Sequence, residues 1–394
     1  MARVLKTGER IAARHADMPA ILRQGFRIFF LAAATWAALV MAIFVAVLSG
    51  VSVISPAFGL VDWHIHELLF GYTGAVIAGF LLTAVPNWTK RLPVSGWRLL
   101  ILFLIWVAGR IAVTVSGDSN ALLVAVFDLA FPVWLIFVIA RELVVGRSYR
   151  NLRVLALVTL FAGANIAFHY EAATTGTTDY SRRGGIAVIL LLIMLIGGRV
   201  IPSFTRNWLA QNRSKSFPVP FGRFDGLTIA ASAAAFLIWI GAPESLVAAM
   251  ALALAGLLNL VRLARWKGWQ TFSEGLVAVL HVAYAFVPAG MIAVALSIGT
   301  PDLVPPAGAL HLLTAGAIAM MTVAVMTRAS LGHTGRKLHA DGMILAIYAA
   351  LVISVILRFA YAVEPASALL VASGSLWMVA FVLFGSRYAY MAVR

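Results

Sequence analysis

Apolar residues in this chain neither alternate with polar ones nor trace a single helical stripe. They come in unbroken blocks of about 17–25 residues separated by short polar, basic stretches. In the first half the blocks are Ile28–Gly50, His64–Val85, Leu99–Ser116, Ala121–Ala140, Val154–His169 and Gly185–Ile201. The second half gives Leu227–Gly241, Leu246–Leu263, Leu276–Leu296, Pro306–Met326, Met343–Ala360 and Ala366–Phe384. A helix rises about 1.5 Å per residue, so each block is long enough, with its flanks, to cross the roughly 30 Å hydrocarbon layer of a bilayer. The pattern predicts an all-α polytopic membrane protein of about twelve transmembrane helices. Residues 1–27 form a basic tail and residues 28–394 a single membrane domain.

Composition agrees. The 394 residues are 62% hydrophobic and only 11% charged, with a mean hydropathy of +0.96, which excludes a soluble domain. A net charge of +15 in a soluble protein would point to nucleic acid. Here the cations sit between apolar blocks, so the partner they imply is the lipid bilayer and no nucleic acid is expected. With the amino terminus inside, all but five of the 30 Lys and Arg fall on one side. The positive-inside rule then places both termini in the cytoplasm. The tail, with Arg3, Lys6, Arg10, Arg14, Arg23 and Arg27, reads as retained and as an amphipathic surface segment. The longest cytoplasmic connection, Arg206 to Asp225, is basic, contains Pro218 and Pro220, and is the expected divider of the chain.

A weak repeat cuts across that division. The second, sixth and tenth segments end in Thr89-Lys90, Thr205-Arg206 and Thr327-Arg328, four helices apart each time. Three four-helix pseudo-repeats in parallel orientation fit this spacing, although a Thr and a cation at an inner helix end are common.

The chain has no cysteine, which excludes disulfides, iron–sulfur clusters and thiol catalysis. Any metal must use His, Met or carboxylate. His15, His333 and His339 lie in polar cytoplasmic sequence and read as solvated. His64 and His66 open the second segment, His169 closes the fifth, and His311 lies just inside the outer end of the tenth, so these four share a depth. His281 is deeper. Ionisable groups inside a membrane are functional candidates by default, but helix ends also collect polar residues, so ligand and interfacial roles stay open for each. Together they supply the neutral imidazoles that haem iron or copper takes. His64 and His66 point roughly 200° apart on a helix and cannot both face one metal. Glu67 is placed to orient a ligating imidazole. Arg110 and Asp128 have matching depths on consecutive segments and are expected to pair; the alternative is that Arg110 or Arg358 receives haem propionates. One turn beyond His66, Phe70 and Gly74 offer a large and a small residue for packing a flat macrocycle.

Four stretches resemble the NnrS family: Trp63-His64-Ile65-His66-Glu67, Gly79 to Thr89, Gly197-Gly198-Arg199-Val200-Ile201-Pro202-Ser203-Phe204-Thr205-Arg206-Asn207-Trp208, and Met326-Thr327-Arg328-Ala329-Ser330-Leu331-Gly332-His333-Thr334-Gly335-Arg336. The resemblance runs from about Gly25 to the carboxyl end. It implies a bacterial inner-membrane protein of twelve helices containing haem and copper, linked to nitric oxide and nitrosative stress, with nitric oxide or a derived small molecule and an unspecified redox partner. The second segment also looks like the second helix of the haem–copper oxidase catalytic subunit, whose twelve helices form three groups of four. That likeness would put a haem on His66 or His64 with His311. The departures are plain: the sixth segment has no His, the seventh no adjacent pair, and the tenth only one. A dioxygen-reducing centre is therefore not implied. The expectations are thus haem on His66 and His311, with Arg110 and Arg358 nearby, and a metal set drawn from His64, His66, His169, His281 and His311. The alternative class is a secondary transporter whose intramembrane Arg, Asp and His line a solute path.

Overall fold

A computed structural model describes residues 18–51, 54–117 and 120–393. His15, most of the basic tail and Asp118 lie outside the described residues. Twelve helices are long and apolar enough to cross a membrane: α1 Gly25–Leu48, α2 Leu60–Thr89, α3 Trp97–Val115, α4 Ala121–Val145, α5 Tyr149–Thr175, α6 Asp179–Gln211, α7 Arg223–Gly241, α8 Leu246–Arg265, α9 Gly275–Gly299, α10 Pro306–His333, α11 Gly342–Val363 and α12 Ser367–Val393. Among the described residues there is no strand. The protein is an all-helical, multi-pass membrane protein, as the apolar blocks predict. Lipid-facing positions stay apolar although exposed, among them Leu122, Leu237 and Phe137.

Helix ends are set by local chemistry. Asn120 Oδ1 accepts from the Leu122 amide at 2.9 Å, Ser245 Oγ from Ala248 at 3.1 Å, and Asp341 Oδ1 from Ile344 at 3.1 Å. Gly176 closes α5 at φ +71°, a left-handed conformation that a side chain would strain.

The helices gather into two compact units, Met1–Thr177 with Phe384–Arg394, and Thr178–Leu383. In the first unit Arg27 Nη1 donates to the Met391 carbonyl at 2.7 Å, tying the start of α1 to the end of α12. The division therefore falls between α5 and α6, and not in the Arg206–Asp225 connection where the prolines had placed it. The reason is visible within the second unit. The Val219 amide donates to the Arg265 carbonyl at 3.1 Å and Lys267 Nζ to Ser216 Oγ at 2.5 Å, so that connection is folded against the end of α8.

The fourfold-helix spacing of the sequence repeat has a structural counterpart. α2, α6 and α10 each contain a π-helical stretch, Glu67–Tyr72, Ile193–Gly197 and Leu312–Ala319. Each also carries the expected Thr, buried, with its hydroxyl donating to the carbonyl four residues back: Thr89 to Val85, Thr205 to Ile201 and Thr327 to Val323. Such back-bonds satisfy a hydroxyl's proton from within its own helix.

The cation distribution carries a topology prediction. Periplasm-active reporters fused after Glu171 or Asp302 should be active, and those fused after Arg213 or His333 silent. The reverse pattern would overturn the assignment of sides.

Candidate metal centre

Two departures from regular helix frame the site. In α4, Pro132 has no N–H to give to the Asp128 carbonyl four residues back, so the ladder is broken there. In α2, the π-helical stretch starts at Glu67, directly after His66, and its wider turn shifts the face that the following residues present. On α5, Asn165 and His169 are four residues apart and share a face. Arg110 comes from α3.

These helices bring six polar side chains together, all buried, with His66, Glu67 and Asp128 fully so. Arg110 bridges the two carboxylates: Nη1 donates to Glu67 Oε1 at 2.6 Å and Nη2 donates to Asp128 Oδ1. The pair expected from matching depth is present, with Glu67 as a second acceptor. His66 Nδ1 donates to Glu67 Oε1 at 2.9 Å, and Trp36 Nε1 donates to Glu67 Oε2 at 2.7 Å. Asn165 Nδ2 donates to Asp128 Oδ2 at 2.8 Å. Two glycines make the approach possible. A Cβ on Gly71 would lie 2.6 Å from Arg110 Nη1, and one on Gly109 would lie 3.0 Å from Asp128 Cα.

The remaining faces of the imidazoles meet at one point. His66 Nε2 lies 3.2 Å from Asp128 Oδ2 and 2.9 Å from Asn165 Oδ1, and His169 Nε2 lies 2.9 Å from Asp128 Oδ2. With Nδ1 of His66 donating to Glu67, its Nε2 faces only oxygen acceptors. One atom each from His66, Asp128 and His169 lies within 4.8 Å of the others, so they form a His/Asp/His group spaced to hold a metal. Tetrahedral ligands at 2.0–2.1 Å from a metal stand about 3.3 Å apart, close to the separations found. Formally, two carboxylates and one guanidinium leave one negative charge, which a cation offsets.

Aromatic rings enclose the group. Phe58 sits 5.1 Å from the His66 ring and 5.2 Å from that of His169, and Phe168 lies 5.2 Å from His66. A void of about 10 Å³ adjoins it, bordered by Phe70, Arg110, Asp128 and Asn165, which is the room of one water-sized molecule.

The other expected ligands lie elsewhere. His64 stacks on Phe44 with ring centroids 4.2 Å apart and is not in the group, in keeping with its predicted divergence from His66. His281, in the second unit, meets Thr205 Oγ1 at 2.8 Å and lies beside Trp266. His311 Nδ1 donates to the Ala307 carbonyl of its own helix at 2.7 Å, and the Arg358 guanidinium lies 5.2 Å from the Tyr361 ring. The macrocycle expected on His66 meets a physical obstacle. Phe70 packs on Phe161 with centroids 5.2 Å apart, and a Cβ on Gly74 would touch Phe131 at 3.6 Å. Protein side chains occupy the face assigned to haem, and the two terminal nitrogens of Arg110 offered to propionates are held by Glu67 and Asp128. Haem does not fit at this cluster.

Sequence reasoning missed Asn165 and Trp36. Asn165 had a signal, its i, i+4 relation to His169; Trp36 had none. It also did not single out Arg262. In the second unit Arg262 is fully buried, donating from Nε to Asp225 Oδ1 at 2.8 Å and from Nη1 to Tyr284 Oη at 2.8 Å.

Comparison with curated proteins and with solved structures gives no match. A buried carboxylate–imidazole group inside a twelve-helix membrane protein, built partly from the Trp63–Glu67 stretch, is what the sequence comparison then sets in context. The profile of the NnrS protein family matches residues 20–394, nearly the whole chain, and the chain belongs to the NnrS family.

Proposed function

We propose that this protein is a membrane metalloprotein acting in the response to nitric oxide, with one metal ion at His66, Asp128 and His169 and Asn165 Oδ1 as a further oxygen donor. The observation that carries the reading is the set of lone-pair atoms converging on one point beside a water-sized void. The donors are imidazole and oxygen, with no thiolate or thioether among the group. Sites of this kind bind copper(II) most tightly of the divalent first-row ions. Copper there would supply a redox-active centre able to take a small diatomic ligand.

The protein's own residues set up that chemistry. Glu67 holds the Nδ1 proton of His66, so Nε2 is directed at the centre. Arg110 holds Oδ1 of Asp128, and Oδ2, which also accepts from Asn165 Nδ2, is the oxygen turned to the two imidazoles. Phe58, Phe70 and Phe168 exclude water, which strengthens every charge interaction inside. A small uncharged gas dissolves in lipid and needs no aqueous channel, so a closed, aromatic-walled site of this size suits nitric oxide better than a charged solute. The haem expected from the family resemblance is not assigned to this cluster.

Elemental analysis and electron paramagnetic resonance of the purified protein test the reading. The expected result is about one copper per chain, with nitrogen hyperfine structure from two imidazoles and a spectrum altered by nitric oxide. Metal-free protein that instead moves a solute across vesicle membranes would overturn it in favour of a transporter.

A further inference from the structure

A second feature of the first unit stands apart from the metal centre. A groove of about 680 Å³ opens between the α2–α3 connection, the start of α3 and the end of α4. Its polar rim holds Lys90, Arg91, Arg98 and Arg141 against one carboxylate, Glu142. Glu142 is itself engaged, accepting from Arg91 Nε at 2.5 Å with Arg141 Nη1 at 3.5 Å, so the rim keeps a positive excess. Away from the rim the walls turn apolar, with Ile101, Leu102 and Val138. Three large aromatic residues beside them stay solvent- or lipid-accessible: Trp97 is 66% exposed, Trp134 47% and Phe137 59%. The start of α3 adds the positive end of a helix dipole to the cationic side.

A cationic rim over an apolar trough, between two membrane-spanning helices, is complementary to an amphiphile with an anionic head. A soluble anion would leave the trough unused, and a nucleic acid or acidic peptide would have no use for Ile101 and Phe137 at membrane depth. Basic pockets between transmembrane helices are where anionic phospholipid heads are held, and Trp rings favour the headgroup level. We infer that this groove binds an anionic glycerophospholipid of the surrounding bilayer, its phosphodiester on Arg98 and Arg141 and an acyl chain along Ile101 and Phe137. The interaction is independent of the metal centre.

The test uses full-length protein in neutral detergent, titrated with phosphatidylglycerol or phosphatidylcholine, read by tryptophan fluorescence and by native mass spectrometry of retained lipid. Phosphatidylglycerol should bind preferentially, and the double variant Arg98→Gln with Arg141→Gln should weaken it about 10–30-fold while metal content stays as in the wild type. Inorganic phosphate at millimolar concentration should not displace the lipid. Equal binding of the two lipids, unchanged binding in the double variant, or displacement by phosphate would each overturn the assignment. The single variant Trp97→Leu, which keeps every charge, should retain the lipid preference but lose most of the fluorescence response.

Discussion

Arg110→Gln should be the most destabilising single substitution in the first unit, and more damaging than Asp128→Asn. The cluster balances two buried carboxylates, Glu67 and Asp128, with one guanidinium. Removing the cation strands both carboxylates where they are fully buried, and breaking a buried pair typically costs about 3–5 kcal/mol. Removing Asp128 instead leaves Arg110 paired with Glu67, so the loss should be nearer the 1–3 kcal/mol of an unsatisfied hydrogen-bond group. In the double variant the stranded charge on Asp128 is gone, and the combined loss should fall short of the sum by about 1–3 kcal/mol. Thermal unfolding of purified protein in one detergent gives all three numbers. Additive losses, or an Arg110→Gln variant as mild as a surface change, would show that the observed pairing contributes nothing.

His66→Ala should abolish metal binding, whereas His281→Ala and His311→Ala should leave it intact. The expectation rests on His66 Nε2 facing Asp128 Oδ2 and Asn165 Oδ1, while His281 faces Thr205 and His311 faces its own backbone. Glu67→Gln separates holding the metal from orienting the ligand. It keeps all three ligand atoms but loses the carboxylate that holds the His66 Nδ1 proton, and partners of that kind are worth 10–100-fold in metal affinity. Competition with a coloured chelator reads the ratio directly. Metal retained in His66→Ala, or lost from His281→Ala alone, would move the centre elsewhere in the chain.

The sequence made the helices legible because lipid leaves no other solution: every backbone group must be bonded within its own segment, and apolar blocks of sufficient length announce themselves. It made the Arg110–Asp128 pair legible for a related reason, since two charges at one depth in hydrocarbon have few alternatives to each other. The parting of His64 from His66 followed from helix geometry, and Glu67 as a partner for His66 from its place beside it in the chain. The contents of the space between helices did not follow. That Phe70, Phe131 and Phe161 fill the face once assigned to a macrocycle depends on which helices are neighbours. The π-helical stretch that follows His66 breaks the 3.6-residue period on which such face assignments rest. Arg262 shows the same limit. Counted along the chain it lies at an inner helix end, but Asp225 and Tyr284 from two other helices enclose it.

The return of Phe384–Arg394 to the first unit has a temporal meaning. A ribosome adds about 5–20 residues per second, so α1–α5 wait roughly 10–40 s between completion of Thr177 and arrival of the segment that holds Arg27. During that interval the five helices sit in lipid with one flank unfinished. The buried charges do not share the delay, because His66, Glu67, Arg110, Asp128, Asn165 and His169 are all made before residue 177. All of the cluster's residues are thus available to one another early in assembly, and Phe384–Arg394 completes a unit whose most costly groups are already made.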